Sequence, residues 1–474
     1  MLPVIIQGGM GVGVSSWQLA RTVAGLGQLG VVSGTATAVT HARRLADGDP
    51  GGHTQRALEH FPFPHIAERV LDRHLNRGSR GARFPGLTRP KIEYTREQTE
   101  LTVAANFAEV FLARDGAGGP IGINFLEKIQ MPTLPSIYGA MLAGVDFVLM
   151  GAGIPARIPA VIDGLHVHKD VSLPINVVGD TTSDRAESHF SPAEFAEGAV
   201  QPDLDRPMFL AIVSSATLAT YLDRNSAGSP DGFVVEMPTA GGHNAPPRGK
   251  LQIDEDGEPM YGPRDRVDLE VIAGLGKPFW LAGGYGTAEQ LRAAQAHGAV
   301  GVQVGTAFAF CEESGLDPQL RRQVLDQVVA GEAHVRTDVR ASPTGFPFKV
   351  IETKNTLSTE NVYEARPRKC DIGYLREAYR KDDGGIGYRC AAEPVDDWIR
   401  KGGDPEAVEG RQCLCNGLMS TIGLGQVRRE GYAEPPIMTA GDDLSSLTRY
   451  LEDGRTTYHA RDVIERLLGV TADR

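Results

Sequence analysis

The strongest constraint on the fold is an alternation. Eight short apolar runs recur along the chain: PVII (3–6), VVS (31–33), PIGINFL (120–126), DFVLMGAG (146–153), PMFLAIV (207–213), DGFVVEM (231–237), KPFWLAGG (277–284) and VGVQVGT (300–306). WQLARTVAGL follows the first, and TLATYLDR, RVDLEVIAGLG and TAEQLRAAQAHG separate the last four, each with apolar residues three or four apart. Strand and helix in turn imply parallel strands joined by crossovers. Eight of them suit a closed (β/α)8 barrel, the TIM barrel.

A ninth run, LPINVVGD (173–180), does not fit the count and is assigned to an insertion over 165–206. A second insertion, about 40–100, carries His53, His60, His65 and His74, whose spacing fits no usual ligand pattern, so they read as packing and surface histidines. The alternation stops near 339. Residues 1–339 are therefore expected to form the barrel, and 340–474 a mainly helical extension packed over or beside it, with DDWIRKGG and ARDVIERLLG as its clearest helices.

A formal charge of −12 argues against nucleic acid or an anionic membrane surface as the main partner. No run reaches the roughly 18 apolar residues of a membrane span. The opening MLPVIIQGGMGVG reads as strand and loop, not as a targeting segment. Five cysteines in 474 residues suit a reducing cytosol, so the expected location is cytoplasmic. A homo-oligomer is left open.

In such a barrel the chemistry lies at the C-terminal strand ends. WLAGGYGTAEQL puts Gly283, Gly284 and Gly286 at the exit of strand seven, and VQVGTAFAF puts Gly305 and Thr306 at the exit of strand eight. Bare backbone amides on two consecutive loops make an anion site suited to a terminal phosphate, with the Thr306 hydroxyl as a further donor. Neither GGYGTAE nor QGGMGVGVSS completes G-x-G-x-x-G, and no G-x-x-x-x-G-K-[ST] occurs, so dinucleotide-fold and P-loop readings fall. Strand one exits into Gln7, Gly8, Gly9 and Met10, and strand three carries Asn124. Amides and bare backbone there suit a flat, heteroatom-rich ring: flavin mononucleotide (FMN) fits, and a sugar phosphate fits on composition alone.

Strand six exits into AGGHNAPPRG (240–249), where no packing need explains a histidine on so permissive a backbone. His243 is the catalytic candidate, with Gly242 beside it. Arg248 brings a permanent charge near the mouth and favours an anionic substrate or a phosphate-bearing carrier.

VIIQGGMGVGVS, the GIN of 122–124, AGGH (240–243) and LAGGYGTAEQLRAAQAHGAVGVQVGTAF (281–308) together resemble the nitronate monooxygenase (2-nitropropane dioxygenase) family of FMN-dependent barrels. That superfamily includes the trans-acting enoyl-ACP reductases, which QGGMGVGVS resembles at least as much. The resemblance implies FMN with its phosphate on Gly283, Gly284, Gly305 and Thr306. It implies ring contacts from Gln7 to Met10, Asn124 and Gln303, and an active-site histidine at His243. An imidazole titrating near neutrality would remove the α-proton of a nitroalkane or bind a nitronate. In an enoyl reductase using NAD(P)H it would orient the thioester. The flavin would perform the redox step. The implied activity is oxidation of alkyl nitronates with O2; the alternative is enoyl-thioester reduction serving fatty acid or polyketide synthesis. The partner is thus a small-molecule or thioester substrate.

Two other classes are weighed. An isomerase or aldolase barrel needs a Schiff-base lysine or paired carboxylates at strand ends, and none is found: Glu236 reads as interior to strand six and Lys277 precedes strand seven. A catalytically silent flavin-binding protein would leave His243 and Arg248 incidental. Finally, Cys370, Cys390, Cys413 and Cys415 are four thiols with only one close pair, a weak pattern for structural zinc. No metal is expected, and these four are the only candidates for one.

Overall fold

A computed structural model describes residues 1–180, 185–199 and 201–470. Eight parallel strands form one sheet: β1 (Ile5–Gln7), β2 (Gly30–Ser33), β3 (Ile121–Leu126), β4 (Phe147–Gly151), β5 (Met208–Val213), β6 (Gly232–Glu236), β7 (Phe279–Ala282) and β8 (Gly301–Val304). Their order is β1-β8-β7-β6-β5-β4-β3-β2. The sheet closes where Ile6 bridges Leu29: Gln7 N donates to Leu29 O at 3.0 Å and Leu29 N to Ile5 O at 3.1 Å. All eight strands expected from the sequence are present in the expected order.

The barrel interior is filled by Ile6, Val31, Leu149, Leu210, Val234 and Trp280, all fully buried. Trp280 satisfies its one donor by bonding Pro3 O at 2.9 Å. The outer strand faces pack on helices that begin at side-chain caps. Ser215 accepts from Leu218 N ahead of Ala216–Asp223, and Thr287 makes a reciprocal capping box with Gln290 ahead of Ala288–Ala296. These caps fix where each strand-end loop stops, and hence what faces the mouth.

The 40–100 segment folds as short helices, Thr37–Ala46, His53–Leu58 and Pro64–His74, against the long helix Arg96–Arg114. Its histidines pack. His53 lies on Trp17, His60 stacks on Phe111, His74 is buried, and His65 sits 3.3 Å from Glu197. The helix layer is locked by Glu109, which accepts from Trp17 N at 2.9 Å and pairs with His41 and Arg44, both at 2.8 Å.

The ninth apolar run stays out of the barrel. Val171–Pro174 pairs antiparallel with Glu187–Phe190, and Val177–Val178 runs alongside Glu377–Arg380 of the C-terminal segment. That segment contains the expected helices Val395–Arg400 and Ala460–Leu468; it also holds the antiparallel ladder Glu377–Arg380 with Ile386–Arg389, and its Phe348–Ile351 pairs antiparallel with Val335–Asp338 just before it. It shares the barrel's hydrophobic core through residues such as Met419, Met438, Tyr458 and Val463, and it lies across the barrel mouth. Among the described residues no helix is long and apolar enough to cross a membrane.

Candidate active site

The C-terminal strand ends surround a cavity of about 420 Å³. Gly8, Gly9, Met10, Asn124, Gly242, His243, Gly283, Gly284, Gln303, Gly305 and Thr306 all line it. Two predicted site residues do not. Gln7 is fully buried; its amide donates to Ser15 Oγ at 2.7 Å and accepts from Val31 N at 3.0 Å, so it braces the Gly8–Met10 turn from behind. Arg248 is exposed on the rim, its backbone tied to Asp265 and its guanidinium 3.4 Å from Ser214 O.

Close approach explains the first loop. A β-carbon at Gly9 would fall 2.1 Å from Cβ of Asn124, whose amide nitrogen donates to Gly9 O at 3.1 Å. The turn and the Asn124 side chain are therefore in direct contact, which only glycine permits. That bond leaves Asn124 Oδ1 buried with no partner. Gln303 Oε1 and Asn244 Oδ1 are in the same state on the same cavity. Three sealed, unpaired acceptors are costly unless a ligand supplies donors.

The backbone around His243 is held by the C-terminal segment. Lys349 N donates to Gly242 O and Asn244 N to Pro347 O, both at 2.9 Å, so residues 242–244 pair with 347–349 like a short strand. Gly242 N is taken by Thr439 Oγ1 at 2.9 Å. The imidazole packs edge-on against Phe348, with centroids 4.9 Å apart, and its Nε2 meets Ser342 Oγ at 2.7 Å. Ser342 Oγ is in turn 2.8 Å from Thr344 Oγ1. Nδ1 makes no hydrogen bond to a described residue. Burial, aided by the nearby Lys128 charge, pushes the His243 pKa down to about 4. A side chain expected to titrate near neutrality is thus a neutral imidazole at physiological pH.

Glu236, expected from the sequence inside strand six, sits at the strand's end. It lines the cavity, accepts no hydrogen bond from a described residue, and is pushed up to about 7 by burial. Lys128 follows the end of β3; its ammonium sits 3.2 Å from the centre of the Phe346 ring, and burial lowers its pKa to about 8. Ser342, Phe346 and Phe348 come from outside the barrel, so no strand-end pattern in the sequence pointed to them.

Much of the remaining wall is apolar, with Leu126, Ile129, Ile212, Leu375 and Leu414 among its residues. Ile372 and Tyr374 also border a second cavity of about 390 Å³, lined by Arg43, Arg83, Arg89, Lys369, Arg428 and Arg429 against Glu97, Asp371 and Glu430. On a chain of charge −12, this is a local concentration of cations.

The four C-terminal cysteines are free and line one void of about 10 Å³. Burial raises the pKa of each, so the thiols are protonated. Among the described residues no group of three His, Cys, Asp or Glu side chains is placed to hold a metal ion.

Against known proteins, residues 195–379 match the nitronate monooxygenase family profile. A Mycobacterium tuberculosis (3aS,4S,5R,7aS)-5-hydroxy-7a-methyl-1-oxo-octahydro-1H-indene-4-carboxyl-CoA dehydrogenase is 26% identical over 155 residues, covering 33% of this chain and 39% of that one. A probable nitronate monooxygenase of Staphylococcus haemolyticus is 31% identical over 117 residues, 24% of this chain and 31% of its own. The chain thus spans less than two-fifths of the length of these curated relatives. Among solved structures, FabK from Thermotoga maritima is similar at a TM-score of 0.48 and 15% identity, over 99% of this chain and 93% of that one. A nitroalkane oxidase from Streptomyces ansochromogenes gives 0.43 and 17%, over 100% and 96%. The matched stretch holds β5 to β8, His243, Gln303 and Thr306.

Proposed function

We propose that the protein is an FMN-dependent oxidoreductase that oxidises alkyl nitronates with O2 at the barrel mouth. The observation that carries this reading is the set of sealed, unpaired acceptors, Asn124 Oδ1 and Gln303 Oε1 foremost, on a glycine-walled cavity under His243. They match the imide N–H and hydroxyl donors of a flavin with its ribityl chain, and the amides of the cavity-lining Gly283–Gly284 and Gly305–Thr306 loops suit its phosphate. The bound flavin would supply electron transfer between substrate and O2.

The protein's own residues orient and polarise. With Ser342 holding Nε2, Nδ1 is the ring nitrogen left for a ligand. An imidazole whose conjugate acid has a pKa near 4 is a poor base towards a nitroalkane carbon. Its useful role is to hold a nitronate that arrives already ionised, by hydrogen bonding to a nitro oxygen. The apolar wall excludes water around that contact. Mixing the flavin-loaded protein with nitronates, and separately with the parent nitroalkanes, under anaerobic conditions tests this: the nitronates bleach the flavin bands and the neutral nitroalkanes do so far more slowly. Absence of bleaching by any nitronate refutes the assignment.

A second reading is favoured by the cationic cavity beyond Ile372 and Tyr374. Its arginines suit the phosphates of a thioester carrier whose acyl end would enter the apolar cavity, and one relative is named as the dehydrogenase of an octahydro-1H-indene-4-carboxyl-CoA. Under that reading NAD(P)H bleaches the flavin and an enoyl thioester restores its colour.

A further inference from the structure

The C-terminal segment adds to the mouth a charge that no strand-end loop provides. Gly441 N donates to Thr306 Oγ1 at 3.0 Å, and Asp442 N to Thr239 O at 3.0 Å, which seats residues 441–443 directly on the loops after β6 and β8. Asp443 lines the cavity and faces both Thr306 and Arg449. Arg449 reaches the loop after β7: a β-carbon at Gly286 would lie only 2.8 Å from its terminal nitrogen and 3.4 Å from Asp443 Oδ2. Glycine at 286 is what allows the guanidinium so close to that backbone.

Arg449 is anomalous where it stands. Its Nε and one terminal nitrogen are sealed from solvent and have no hydrogen-bond partner among the described residues. The group also lies over the Tyr450 ring, 5.1 Å from its centroid, beside the Tyr450 hydroxyl and the Asp443 charge. A guanidinium never gives up its proton under ordinary conditions, so two desolvated, unpaired N–H groups on a permanent cation are a large cost. An anion with two adjacent oxygens would remove that cost, because the edge of the fork carrying these nitrogens bonds carboxylate or phosphate in parallel. The edge lies beside Gly286, on the strand-seven limb of the loops to which the flavin phosphate is assigned above.

We infer that Arg449, from outside the barrel, is the cationic ligand of the cofactor phosphate, and that Asp443 opposes it by placing a carboxylate beside the same anion. This rests on the FMN reading and extends it: the barrel loops supply amides, while the segment across the mouth supplies the counter-charge and its brake. Cofactor retention is thereby coupled to docking of the C-terminal segment, since residues 441–449 reach the loops only when that segment is seated.

The test compares FMN with riboflavin, which lacks the phosphate, binding to flavin-stripped full-length protein and read by quenching of flavin fluorescence. Wild type binds FMN more tightly than riboflavin. Arg449→Gln weakens FMN by about 10- to 100-fold, the range of a lost charge-assisted hydrogen-bond pair, and leaves riboflavin unchanged. Arg449→Lys recovers part of the loss, and Asp443→Asn tightens FMN a few-fold. Unaltered riboflavin binding reports that each variant is folded. FMN bound equally by wild type and Arg449→Gln overturns the assignment of Arg449. An equal loss of both flavins in Arg449→Gln also overturns it, as a packing role would. Wild type that binds neither flavin overturns the flavin reading itself.

Discussion

At the scale of single residues, the cavity shifts its two central ionisable groups in opposite directions, and both shifts have consequences. His243 falls from an ordinary 6.5 to about 4. Its neutral form is favoured by the fold, so its contribution to stability is complete above pH 6.5 and lost as the pH falls through 4. Glu236 rises from 4.5 to about 7, so the folded protein holds a proton that the unfolded chain releases, and stability drops as the pH rises from 4.5 to 7. Glu236→Gln should therefore stabilise the flavin-free protein at pH 8 by on the order of 1–3 kcal/mol, seen as a higher Tm, and leave the Tm unchanged at pH 4.5. Calorimetry across that range checks it, and a Tm difference independent of pH refutes the shift. His243→Ala keeps bound flavin and lowers kcat/KM for nitronates by about 10- to 100-fold, the range of a lost hydrogen bond to an anion; steady-state rates across nitronate concentrations decide the matter, and an unchanged kcat/KM removes His243 from the mechanism. His243 itself was legible, because a histidine on a Gly-Gly turn after a strand has no packing purpose. Its low pKa was not, because Ser342, Phe348 and Lys128 lie far from it in sequence and their approach is set by the tertiary fold.

At the scale of elements, the strands and their exit loops were readable and the partners laid over them were not. Eight apolar runs became eight strands because each is short and mostly apolar, and most run straight into glycine or a capping residue. The Glu236 misreading follows from the same feature, since an apolar run with one carboxylate at its end does not show which residue turns towards the mouth. The ladder Phe348–Ile351 and the 242–244 pairing were hidden, because a strand completed by a distant loop has no local alternation of its own. The helix layer rests on Glu109, which three donors hold ionised and whose pKa falls to about 2 despite burial. Its contribution is present above pH 4.5 and lost as the pH drops towards 2. Glu109→Gln leaves Arg44 and His41 beside a neutral amide and should cost about 3–5 kcal/mol at pH 7, measured by denaturant unfolding. A loss below 1 kcal/mol would show that the network is dispensable.

At the scale of the whole molecule, the barrel and the C-terminal segment form one working unit. The segment shares the barrel's core, pairs with the His243 loop and sets Gly441–Asp443 on the glycine loops, so the site is built from both. Composition foretold none of this beyond a helical extension near the barrel, since docking depends on contacts between residues a hundred or more positions apart. The account depends most on the claim that the cavity beneath His243 holds FMN by its phosphate. Titration of flavin-stripped protein with FMN, followed by quenching of flavin fluorescence, measures this directly in wild type and in Gly305→Asp, where a β-carbon would project towards Met10 at the cavity wall and carry a carboxylate to the phosphate loops. The account predicts one FMN per wild-type chain and none in the variant. Wild-type protein that takes up no FMN, or a variant that takes it up equally well, would contradict it.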